Sequence, residues 1–140
     1  MKSTNTCKCD SMGTYDTLDD LNIYTAVDQW YEDKSSAEAT YGKIECWNVE
    51  KVTSMNKLFD LYRTGNENFN ENLECWDTSS ATDMSCMFYR ATSFNQKLNT
   101  WDVKHVTSME GMFLLASSFN QDLNDWHVSK VNNMSEFFLE

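Results

Sequence analysis

The groups in this chain able to act as nucleophiles, bases or metal ligands are five cysteines, two histidines and 22 carboxylates. Cys7, Cys9, Cys46, Cys75 and Cys86 cannot all pair within one molecule, and their spacing fits no zinc template. Cys7-Lys8-Cys9 lacks a second pair, and His105 and His127 lie far from it. An enzyme would need a nucleophile, a base and an orienting group brought to one pocket. Neither histidine stands in a local catalytic signature, and nothing selects one pair of acids for glycosidase-type work. The reading is therefore non-enzymatic, with no catalytic residue, no metal and no cofactor.

Composition narrows the partners. Eleven Lys and Arg against 22 Asp and Glu give a formal charge of −11, which opposes binding to nucleic acid or to anionic membrane surfaces. No apolar run reaches the roughly 18 residues of a spanning helix, so no membrane insertion is expected, and no secretory signal is visible at Met1–Asp10. Hydrophobic residues make up 41% and aromatics 14%, enough for a core. Proline is absent and glycines number 4, which argues against a fold rich in tight turns.

What must position the polar groups is a repeat. Trp47, Trp76, Trp101 and Trp126 lie 29, 25 and 25 residues apart, and their surroundings recur in phase. Ile44, Leu73, Leu98 and Leu123 precede them. Val49, Thr78, Val103 and Val128 follow, then Met55, Met84, Met109 and Met134, then Phe59, Phe88, Phe113 and Phe138. Phe69-Asn70, Phe94-Asn95 and Phe119-Asn120 close the units. The longer first interval places four extra residues near Thr64–Asn68.

Within a unit the apolar period changes. Trp101 and Val103 alternate with polar residues, as in a half-buried strand; positions 106, 109, 112, 113 and 116 follow a helical spacing. Thr107 and Glu110 read as a capping box. The expected fold is thus α/β: a solenoid of short parallel strands about 4.8 Å apart with a second layer of short helices. The four tryptophans are its structural core, and Asn70, Asn95 and Asn120 are corner amides that bond the backbone of the next unit.

The segments Phe94-Asn95-Gln96-Lys97-Leu98-Asn99-Thr100-Trp101 and Phe119-Asn120-Gln121-Asp122-Leu123-Asn124-Asp125-Trp126 resemble the BspA-like surface-protein repeat. The resemblance covers residues 44–140. It implies a leucine-rich-repeat-like solenoid, extracellular or cell-surface display, and a role in adhesion or protein recognition. The pattern departs from Leu-x-x-Leu-x-Leu-x-x-Asn: Trp takes the second Leu position, and Val52, Ala81, Val106 and Val131 stand where Asn would be.

Three divisions follow: a disordered tail over 1–16, a helical N-terminal cap over 17–43, and four tandem units over 44–140, the last incomplete. The cap rests on Leu18, Leu21, Ala26, Val27, Trp30 and Tyr31 at helical spacing, with the helix starting near Thr17. The last unit, still helical on this reading at Glu140 and with an open strand edge over Leu123–Val128, reads as a fragment or as an end that self-associates.

The solvent-facing columns carry the candidate partner-binding face: Asn48, Asp77, Thr100, Asp102, Lys104, Asp125 and His127. Asp77 and Asp102 would stack as like charges. Ca²⁺ would relieve that, but an Asx turn is the favoured reading in the absence of an Asp-x-Asp-x-Asp-Gly loop. Cys46 and Cys75 share a column, at a spacing open to a disulfide or to two free thiols; Cys86 reads as a small packed residue. The expected function is a protein-recognition or adhesion module presenting an acidic face to a protein or cell-surface ligand. A structural spacer within a larger surface protein is the alternative.

Overall fold

A computed structural model describes residues 15–65 and 67–138. The expected tail over 1–16 therefore lies almost wholly outside the described residues, as do Cys7 and Cys9.

Helix α1 (Ile23–Glu32) forms because Ile23, Ala26, Val27 and Trp30 recur on one face, and all four are buried. It starts later than the expected Thr17. Leu18–Asn22 instead run as an extended and turned segment beside the first unit, with the Leu18 amide donating to the Asn48 carbonyl at 2.8 Å. Helix α2 (Lys34–Tyr41) is capped by Asp33, whose carboxylate accepts from the Ser36 amide at 3.1 Å and the Ser36 hydroxyl at 2.7 Å. It ends at Gly42, where φ is +79° and a Cβ would lie 2.9 Å from the Tyr15 ring. A single 3-10 turn (Ile44–Cys46) follows, and then α3 (Leu61–Thr64), which leads into the extra stretch in the first unit.

The α/β leucine-rich-repeat-like solenoid is overturned. Among the described residues there is no β-strand, so no parallel sheet exists, and the only helices are the short ones just named. Strand-like pairing between units, among the described residues, consists of isolated parallel bridges, Ser54 with Asp83, Asp83 with Ser108 and Ser108 with Asn133. The helical spacing from Val106 and the capping box at Thr107 and Glu110 correspond to turns.

The backbone hydrogen bonds give the reason. The Met84, Cys86, Phe88 and Arg90 amides donate to the Ser108, Glu110, Met112 and Leu114 carbonyls of the next unit. The intervening Met87, Tyr89 and Ala91 amides donate three residues back, to Met84, Cys86 and Phe88. A helix would need the inter-unit donors turned inward, and a strand would need the turn donors turned outward. The alternation permits neither. It also needs left-handed residues, found at Lys57, Cys86, Gly111 and Glu136 in one column and at Arg90 and Leu115 in another. The expected strand over Leu98–Val103 is likewise a turn, closed by the Trp101 amide on the Leu98 carbonyl at 3.1 Å. Few glycines did not prevent a turn-built chain, because mostly non-glycine residues fill the left-handed columns.

The inward columns pack as expected of a core, except in the last unit, where Val128, Met134 and Phe138 are exposed. Phe59, Phe88, Phe113 and Phe138 stack at 5.7, 5.5 and 5.5 Å, and Phe69, Phe94 and Phe119 at 5.8 and 6.0 Å. The two files lean on each other, with Phe88 and Phe94 at 4.1 Å. Thr78, the one polar member of its column, is buried and donates its hydroxyl to the Asp102 carbonyl at 3.0 Å.

Candidate functional site

The candidate face is built on the turns that follow each tryptophan. Trp76, Trp101 and Trp126 are buried, and each indole N–H donates to a carbonyl of the preceding unit: Ile44 at 2.7 Å, Leu73 at 2.9 Å and Leu98 at 2.8 Å. Trp47 has no preceding unit and donates to the Gly42 carbonyl at 2.8 Å. These bonds fix the backbone from which the next residue projects. That residue is Asn48, Asp77, Asp102 or His127.

Asn48, Asp77 and Asp102 all close Asx turns, accepting from the Glu50, Ser79 and Lys104 amides at 3.2, 3.0 and 3.1 Å. One carboxylate oxygen of each Asp is thus engaged by its own backbone. The Lys104 ammonium lies 2.8 Å from the other Asp102 oxygen. Partial burial works to raise the Asp102 pKa, but the Lys104 ammonium and amide together with His105 hold it below the ordinary carboxylate value. Among the described residues no three His, Cys, Asp or Glu side chains converge as metal ligands.

Thr100 is turned to its neighbour, its hydroxyl donating to the Glu74 carbonyl at 2.8 Å. Asp77, Lys104, Asp125 and His127 are exposed, Asp102 and Asn48 partly so. His105 spends Nδ1 on the Ser79 carbonyl at 2.9 Å. The structure therefore puts the candidates on one series of turns rather than on a sheet.

Cys46 and Cys75 are each disulfide-bonded, and Cys86 is the free cysteine among the described residues. The Cys86 thiol is half-buried, and that burial pushes its pKa up. It sits on a left-handed turn, not on a helix.

The Asp20 bonds and the part played by Gln96 and Gln121 escaped the sequence reading, whereas Asn70 and Asn95 bond the backbone of the next unit as expected. Asp20 accepts from the Thr53 amide and hydroxyl and from the Ser54 amide, tying the N-terminal segment to the first unit. At the Asn corners, Asn70 accepts from the Asn95 amide at 2.9 Å, and Gln96 donates to both the Asn70 carbonyl and its side-chain oxygen at 3.0 and 3.1 Å. Asn95, the Asn120 amide and Gln121 repeat the arrangement. The amides bond the next unit from solvent-exposed corners. The recurrence of Gln after Phe-Asn at 96 and 121 was the available signal.

Comparison with curated proteins and with solved structures returns no match. A family model does match, over residues 25–140, from within α1 through the last unit. The chain belongs to the family described as Mycoplasma protein of unknown function, DUF285.

Proposed function

We propose that this chain is a non-enzymatic recognition or adhesion module of the BspA-like kind. It meets a protein or cell-surface ligand through the exposed turns that carry Asp77, Thr100, Asp102, Lys104, Asp125 and His127. The observation that carries this reading is the contrast between columns. Inward positions stay apolar apart from the buried Thr78 and are tied by indole and backbone bonds, whereas the adjoining outward column reads Asn48, Asp77, Asp102, His127 on the same turns. Rigid backbone with variable, exposed side chains is what a surface needs to hold a partner at low entropic cost. The acidic balance favours a basic partner and speeds encounter more than it sets affinity. Display outside the cell is supported by the two half-cystines, since such bonds persist in oxidising surroundings.

The test is retention of surface-extract proteins on the immobilised chain, compared with Asp77→Lys, Asp102→Lys and Asp125→Lys combined. Loss of a salt-sensitive set of retained proteins is the expected result. An identical set on both columns would overturn recognition by this face and leave the spacer role.

A further inference from the structure

A cleft of about 760 Å³ opens beside Arg90, and none of the residues of the acidic turns lines it. Its walls are mostly apolar: Leu61, Leu115 and Phe119 line it, with Phe138, 58% exposed, among its walls. Leu61, Arg90 and Leu115 occupy one column of the repeat, so the cleft carries a cation where its neighbours carry leucine.

That cation is unusual in a chain with twice as many acids as bases. Arg63 in α3 pairs with Asp28 and donates to the Leu58 and Tyr24 carbonyls. Arg90 has no ion pair among the described residues, and its Nε is buried without a hydrogen-bond partner. Its guanidinium lies 4.9 Å from the Tyr62 ring and 5.7 Å from the Tyr89 ring. A cation–π contact of this kind is not a conventional hydrogen bond and leaves the guanidinium N–H donors without an oxygen acceptor. A planar fork matches a carboxylate, and a cation beside apolar walls gains most from an anion that carries its own apolar body. The volume is in the range of small-molecule sites.

We propose that this cleft binds a small amphiphilic carboxylate, the carboxylate on Arg90 and the apolar body along Leu61, Leu115 and Phe119. The site is separate from the acidic turns and does not depend on their role.

Octanoate and octanol, equal in chain length and different in charge, test it by calorimetric titration and by amide chemical-shift mapping. The unaltered protein should bind octanoate more tightly than octanol, with shifts centred on Arg90, Leu115 and Phe119. Arg90→Gln should weaken octanoate roughly tenfold or more and leave octanol unchanged. Ser117→Trp, from a side chain lining the cleft, should weaken both. Equal affinity for the two ligands, shifts elsewhere, or no binding of either would overturn the proposal, and these readouts hold even if Arg90→Gln does not fold.

Discussion

The Asp20 carboxylate does for Thr53 what the Thr53 carbonyl does for Thr82. Thr82 donates its amide and hydroxyl to the Thr53 carbonyl at 2.8 and 3.2 Å, and Thr107 donates both to Thr82 in the same way. Thr53 has no earlier unit, and both of its donors go to Asp20. The N-terminal segment thus caps the array by imitating a carbonyl with a side chain, while Leu18, Ile23, Val27 and Trp30 cover the apolar face behind it.

Asp20→Asn should therefore loosen the N-terminal segment by about 1 kcal/mol, a modest figure because Asp20 is exposed. Burial opposes ionisation, but the Thr53 hydroxyl and the Ser54 and Thr53 amides outweigh it and lower the Asp20 pKa. A carboxyl lowered on folding contributes stability above its unfolded pKa and loses it as pH falls through the folded value. Urea midpoints measured from neutral pH downward should converge for the two proteins below about pH 4. A constant gap across that range would refute the assignment.

The indole bonds separate hydrogen bonding from packing. Trp101→Phe keeps most of the ring volume and strands the Leu73 carbonyl, a loss of about 1–3 kcal/mol. Trp101→Ala adds a cavity beneath Phe88 and should cost about 3–5 kcal/mol. Denaturant unfolding monitored by circular dichroism checks both; a Trp101→Phe variant as stable as the unaltered protein would show that the hydrogen bond contributes nothing, and equal losses would show that the ring packing does not.

The tryptophan, methionine and phenylalanine columns were legible because burial acts on residue type and every unit meets the same neighbours. The secondary structure was not. Apolar positions 106, 109, 112, 113 and 116 satisfy a helix, yet they equally satisfy turns whose amides donate alternately within and between units. Periodicity reports which side chains face inward and is silent on where the backbone donors go. The left-handed column was hidden for a related reason. Only Gly111 announced it, while Lys57, Cys86 and Glu136 adopt the same conformation without a sequence signature. On the candidate face, Asn48, Asp77 and Asp102 showed their turn chemistry in their type, but Asp20 acts across 33 residues and no local pattern reveals such a partner.

That column yields a paired prediction. Gly111 has φ +58°, and a Cβ there would lie 3.2 Å from the Cys86 sulfur. Gly111→Ala should destabilise by about 1–2 kcal/mol from backbone strain, with the tight contact adding to it. Lys57, exposed at φ +56°, makes the opposite case: Lys57→Gly relieves the strain at an entropic cost of similar size, so stability should change by less than about 1 kcal/mol. Thermal unfolding of the two variants decides it. A large loss in Lys57→Gly together with a silent Gly111→Ala would contradict a shared left-handed column.

Thiol chemistry bears on both stability and location. Under native, non-reducing conditions iodoacetamide should leave Cys46 and Cys75 unmodified, since both are oxidised, while Cys86 reacts slowly because burial keeps its thiol protonated. After unfolding without reductant, Cys86 should label fully and the other two should still be spared. Reduction should then expose them and lower stability by about 2–4 kcal/mol, the usual contribution of a disulfide to a small domain. Peptide mass spectrometry of chain recovered from its native source reads the same positions. Labelling of Cys46 or Cys75 without reductant would place the chain in a reducing compartment and count directly against surface display.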